Sequence, residues 1–128
     1  MSAPAPLAGI RVVEFTHMVM GPTVGHILAG LGAEVVRIEP IGGDQTRRLI
    51  GSGAGYFPMY NRGKQSICLD LKSAAGLGVA KDLVGCADVL VENFRPGALE
   101  RLGLGYEPCA ALNPRLIYCS EKGFLPGP

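Results

Sequence analysis

Asp88-Val89-Leu90-Val91-Glu92-Asn93-Phe94-Arg95-Pro96-Gly97 is the stretch that decides the fold. Its first half is short, apolar and β-branched, which reads as a buried strand. The strand runs out into an amide, an aromatic ring and a cation, and a Pro-Gly turn follows. Recognition chemistry placed directly after a buried strand belongs on a βα loop. In open α/β sheets, the loops beyond the carboxyl ends of the strands are where ligands bind.

Outward from this stretch, strand-like and helix-like segments alternate. Residues 10–15 form an apolar strand with Glu14 as its one acidic interruption. Val24, Ile27, Leu28 and Leu31 recur at helical spacing over residues 23–31, and Gly32 suits the helix end. Residues 34–38 read as a second buried strand, closed by Pro40 and Gly42-Gly43. Residues 44–60 have no clear period and predict a loop with a short helix near residues 45–48. Residues 66–71 alternate as a strand does. Ser73 is a good N-cap for a helix to about residue 84, which Gly76 and Gly78 weaken. After the strand at 89–91, Pro96 takes the first position of a helix carrying Leu99 and Leu102 on one face. A short helix over 106–112 and a strand over 116–119 complete the series. This rhythm predicts an α/β fold, a Rossmann-like parallel sheet with helices on both faces.

Size and composition narrow the function. A chain of 128 residues is the size of one domain, and 48% apolar residues suffice for a sizeable core. A net charge of +1 gives no electrostatic case for nucleic acid or an anionic membrane. Cys68, Cys86, Cys109 and Cys119 form no CxxC pair and have no histidine beside them, which argues against a zinc site or a disulfide scaffold. Reduced thiols in a cytoplasmic enzyme are the plain reading. Residues 1–6 lack the basic and apolar regions of a signal peptide. No stretch approaches the roughly 20 apolar residues of a membrane span. Gly51, Gly53 and Gly55 follow no strand and lead into no helix, so a dinucleotide fingerprint fails, and no P-loop run is present. Nicotinamide cofactors and ATP are disfavoured.

Five segments keep a common order: Phe15-Thr16-His17-Met18-Val19-Met20-Gly21-Pro22, residues 31–40, residues 61–72, Val91 to Gly97, and Asn113-Pro114-Arg115-Leu116-Ile117-Tyr118. Together they resemble the amino-terminal part of a class III CoA-transferase, the family that includes formyl-CoA transferase, from about Leu7 to Gly127. The resemblance implies that residues 1–128 are the CoA-binding part of a longer, interlocked homodimer. It implies CoA or acyl-CoA and carboxylic acids as substrates, with no metal. The loop at residues 124–128 has no closing element, which fits a truncated fold.

The resemblance assigns CoA contacts to Leu69, Lys72, Asn93, Phe94, Arg101 and Lys122. That choice has chemical sense, because CoA needs cations for three phosphates, an apolar clamp for adenine and a channel for its arm. Taken singly, Lys72 or Arg101 is an ordinary surface charge and Phe94 an ordinary core ring. The joint order carries the assignment. The position matching Pro40 is often basic in formyl-CoA transferase-like chains, and Arg37 or Arg47 would have to substitute. His17 lies just past the first strand, where an imidazole serves as acid or base near pH 7 or, more commonly, bonds to nearby backbone. Val19 matches a glutamine near the acyl group and points to a less polar acid. His26 reads as an ordinary helix residue. No catalytic residue is assigned within the chain. The nucleophilic aspartate of such transferases, which forms an anhydride and then an aspartyl-CoA thioester, matches none of Asp44, Asp70, Asp82 or Asp88. An α-methylacyl-CoA racemase and a non-catalytic CoA-binding fragment are the alternatives.

Overall fold

The computed structural model describes residues 3–124. Five parallel strands form one sheet: β1 (Arg11–Phe15), β2 (Glu34–Glu39), β3 (Gln65–Cys68), β4 (Val89–Glu92) and β5 (Ile117–Ser120). Their spatial order is β3-β2-β1-β4-β5. Progression runs one way from β1 to β3 and the other way from β4 to β5, so the strand order reverses between β1 and β4. That is the topological switch point of a Rossmann-like sheet. Val12 and Val13 pair with Val89 and Leu90 on one side of β1 and with Val35 and Val36 on the other.

Period-two alternation divides the apolar residues between two cores. Val13, Phe15, Ile38 and Leu90 face α3 (Ala74–Cys86), α4 (Ala98–Arg101) and α5 (Tyr106–Leu112), burying Ala80, Val84, Leu99 and Cys109 with them. Val12, Val35 and Val91 face α1 (Met20–Gly30) through Val24 and Leu28. Helices therefore cover both faces, as expected. Ile50, Ile117 and Phe124 remain exposed, Ile117 on the edge strand β5. No described helix is long and apolar enough to cross a membrane.

Helix ends depart from the sequence reading in instructive ways. The first helix begins at Met20, ahead of Gly21-Pro22, because a proline in the first turn forfeits no helical hydrogen bond. Its far end is a Schellman closure, with Gly32 N–H donating to Ala29 O and Ala33 N–H to Leu28 O. Pro96 does not open a helix. Ala98 N–H donates to Arg95 O, and Gly97 sits at φ +81° and ψ −7°, so Pro96-Gly97 are the corners of a type II turn. The stretch from residue 44 is more ordered than expected. A 3₁₀ turn at Gln45–Arg48 and another at Gly51–Gly53 lead into α2 (Tyr56–Tyr60). The third strand stops at Cys68, which releases Leu69 into the following loop. Of the expected terminal loop, residues 125–128 lie outside the described residues.

Candidate functional site

The carboxyl ends of all five strands open on one edge of the sheet, and three adjoining hollows run along it. The largest, about 550 Å³, lies between the loops after β2 and β3 and is floored by Phe15, Ile38 and Leu69. Lys72 and Asp70 stand on its rim, and Phe94 and Leu102 close its far wall. A second hollow of about 250 Å³ is bounded by His17, Met18, Thr46 and Phe94. A third, about 300 Å³, is bounded by His17, Asn93, Phe94, Arg95 and Lys122. Phe94 borders all three, which makes its ring the pivot of the crevice.

Two sets of hydrogen bonds hold that pivot. The Asn93 carboxamide accepts from His17 N–H at 2.9 Å and donates to His17 C=O at 3.0 Å, clasping the β1 loop to the β4 loop. The His17 and Phe94 rings meet at 5.5 Å between centroids, tilted by 51°. Glu92 is buried at the end of β4 and accepts from Phe94 N–H at 2.9 Å. Lys122 Nζ donates to both Glu92 carboxylate oxygens, at 2.6 and 2.7 Å, and to Phe94 C=O at 2.6 Å. The Ser120 hydroxyl donates to Glu92 as well.

Six of the residues singled out in the sequence reach this edge and border the crevice: Leu69, Lys72, Asn93, Phe94, Lys122 and His17. Their freedom differs. Lys72 is exposed and has no ion pair among the described residues. The three ammonium protons of Lys122 are all taken, and the Asn93 amide is spent on backbone. Arg101 ends α4, exposed, one residue before the lining Leu102. Val19 is half-buried at the N-cap of α1 and borders none of the three hollows.

Neither stand-in for a base at Pro40 is available as the sequence suggested. Arg37 is buried and surrounded by Glu14, Glu39 and Asp44, and it donates to Asn61 Oδ1 at 2.8 Å. Arg47 is half-exposed. It donates to Glu39 at 2.7 and 2.6 Å and lies 3.7 Å over the Phe57 ring, so its charge is already compensated.

These arginines belong to a buried charge cluster that sequence reasoning missed. Lys64 Nζ donates to Glu14 Oε1 at 2.7 Å, Pro22 O at 2.8 Å and Asn61 Oδ1 at 3.1 Å. Three acids (Glu14, Glu39, Asp44) balance three bases (Arg37, Arg47, Lys64). Burial raises the Glu14 pKa, against the pull of Lys64 and Arg37, and lowers that of Lys64. Burial also opposes ionisation of Glu39, but hydrogen bonds from Arg47, Ser66 and the Asp44 N–H outweigh it and bring its pKa to about 2. A signal was present in the sequence, since Val35, Arg37 and Glu39 alternate onto one face of a strand. Charges on a strand of a fully covered sheet must be paired inside it.

Among the described residues, no group of three or more His, Cys, Asp or Glu side chains is placed to hold a metal ion. The cysteines are free, and burial raises the Cys109 thiol.

Fold and hollows define an α/β protein with an open crevice at its switch point. The family model of CoA-transferase family III matches residues 7–128, and the chain belongs to that family. It is 47% identical over 123 residues to the acetyl-CoA:oxalate CoA-transferase of Acetobacter aceti, covering 93% of this chain and 32% of that enzyme. It is 45% identical to the succinate–glutarate CoA-transferase of Agrobacterium fabrum, covering 93% of this chain and 32% of the relative. Among solved structures, it superposes on a CAIB/BAIF family protein from Brucella suis with a TM-score of 0.85 at 43% identity, covering 92% of this chain and 33% of that one. For Rv3272 from Mycobacterium tuberculosis, in an orthorhombic crystal form, the TM-score is 0.89 at 42% identity, with 94% and 34% covered. The chain thus spans about a third of the length of the relatives it matches.

Proposed function

We propose that this chain is the CoA-binding part of an enzyme that moves CoA between carboxylic acids through an aspartyl-CoA intermediate. The observation that carries the reading is the 550 Å³ apolar cleft with Lys72 on its rim and Phe94 as its wall, at the switch point of a family member's sheet. The cleft is wide enough for a base or a pantetheine arm. Lys72 and Arg101 supply positive charge for phosphates, and Leu69 and Phe94 supply apolar faces.

In the proposed reaction, a carboxylate from a part of the enzyme outside these residues attacks the thioester carbonyl and expels CoA thiolate, leaving a mixed anhydride. The thiolate then attacks the enzyme's own acyl carbon, releasing the donor acid and forming the enzyme thioester. The acceptor acid takes CoA by the reverse steps. Oxalate, acetate, succinate and glutarate in the relatives' names suggest short acids as the substrate class. By the resemblance alone, valine in place of the glutamine near the acyl group would favour a less polar acid, although Val19 borders none of the three hollows. The whole enzyme is a homodimer in this reading.

Titration calorimetry with CoA tests the binding half of the proposal. Lys72→Ala, Phe94→Ala and Arg101→Ala are each expected to weaken CoA by about tenfold, roughly 1.4 kcal/mol. Wild-type heats indistinguishable from dilution, or three variants with unchanged affinity, overturn it.

A further inference from the structure

The loop after β4 is held in an unusual way. Phe94 is gripped at both of its backbone groups by one ion pair, its N–H by Glu92 and its C=O by Lys122. The two grips are themselves joined through both carboxylate oxygens of Glu92. Glu92 has 5% of its side chain exposed and Lys122 has 24%, so the pair is largely withdrawn from water. A lysine with three short bonds to protein oxygens has no proton left for a ligand phosphate. Its carbonyl contact is the informative one. A lysine kept only as a counter-ion for Glu92 has no need to reach Phe94 C=O, whereas one that sets the peptide plane does.

We infer that Glu92 and Lys122 are a positioning pair that fixes the Phe94 ring against His17, with Lys122 making no phosphate contact of its own. The inference deepens the reading of the crevice as a CoA site and rests on it. The pair ties the β4 loop to the segment after β5, and the Asn93 clasp ties the same loop to β1. Phe94 is thereby fixed from both neighbouring strands at the point where the three hollows meet. Removing Lys122 acts through the ring, and so does removing the Glu92 charge.

The two roles for Lys122 predict opposite signs, which makes the test sharp. CoA affinity of the 128-residue chain is measured by calorimetry for Lys122→Met, Glu92→Gln, Phe94→Ala and the Lys122→Met/Phe94→Ala double variant. A positioning pair predicts about a tenfold loss for both Lys122→Met and Glu92→Gln. It also predicts a double variant no weaker than Phe94→Ala alone, because coupled sites are not additive. A direct phosphate contact predicts tighter binding for Glu92→Gln, which frees the ammonium, and an additive loss in the double variant. Either result overturns the inference.

Amide hydrogen exchange of the ligand-free protein reads the same grip without CoA. Faster exchange at Phe94 in Lys122→Met, with Val12 and Leu90 unchanged, supports the pair. Unchanged exchange at Phe94 overturns it. A wild-type chain that fails to bind CoA counts against the CoA reading and leaves the exchange result standing. If Lys122→Met does not fold, Glu92→Gln, which takes the charged acceptor away from the Phe94 N–H, is read in the same exchange measurement with the same two outcomes.

Discussion

Gly25 carries no side chain, yet it decides whether the buried charges fit. A Cβ built on it would overlap Oε2 of Glu14, and Lys64 Nζ lies 3.0 Å from the same point. Glu14 cannot swing aside, because its other oxygen is held by Lys64 and lies beside Arg37. Gly25→Ala is therefore expected to cost about 2–3 kcal/mol, in the range of an overpacked core. Gly78, in the middle of α3, has open space where its Cβ would sit. Gly78→Ala should be neutral or stabilising by up to about 1 kcal/mol. Urea unfolding of the two variants side by side checks the pair, and equal midpoints would sink the close-approach argument. The sequence carried the same lesson only faintly. Asn61-Arg62-Gly63-Lys64 stood out as part of a family pattern, but nothing in its spacing shows that Lys64 reaches Glu14, fifty residues away.

At the scale of elements, local chemistry was legible wherever it was self-contained. The helix over Tyr106–Leu112 and the turn over Gln45–Arg48 lie where their own residues place them. So does the Ser73 cap, whose hydroxyl accepts from Gly76 N–H at 3.0 Å. Boundaries failed where a neighbour decided. The type II turn at Pro96-Gly97 looks like a helix start because both motifs want proline at φ near −65°. Asn113 is the clearest case of a family residue with a structural task. Its side-chain amide donates to Val84 O at 3.1 Å and Ala87 O at 2.7 Å, finishing α3 from the far end of α5. The last carbonyls of a helix have no partner of their own, so this cap contributes as side-chain caps do. Asn113→Ala should lower stability by about 1–2 kcal/mol, because the buried Ala87 carbonyl loses its side-chain donor while Val84 O keeps the Ala87 N–H. It should leave CoA affinity unchanged, since Asn113 borders none of the hollows along the ligand edge. Paired unfolding and calorimetry distinguish this from a direct part in the site.

Across the whole molecule, the charge cluster does what apolar packing does elsewhere: it joins β1, β2, β3 and the segment after β2 under the ligand edge. Two of its acids respond to pH in opposite directions, and Glu121, outside the cluster, follows the second. Glu39, with its carboxylate fully buried, has a folded pKa of about 2 against an ordinary value of 4.5. A depressed carboxyl stabilises the fold fully above the unfolded pKa and loses that contribution as pH falls through the folded one. About 3 kcal/mol at most should therefore disappear between pH 4.5 and 2. Glu14 and Glu121 run the other way. Burial raises both pKa values, with neighbouring carboxylates adding to the effect at Glu121, so protonation as pH falls toward 4.5 favours the folded state. Stability should accordingly hold or rise slightly as pH drops from neutral, then fall steeply below about 4.5. Glu39→Gln should flatten that acid limb, because its amide has no charge to lose, and should cost stability at neutral pH, where Arg47 is left without its partner. Urea unfolding between pH 2 and 7 provides the measurement. An acid limb of undiminished slope in Glu39→Gln would show that the cohesion of the sheet's ligand edge does not depend on this carboxylate.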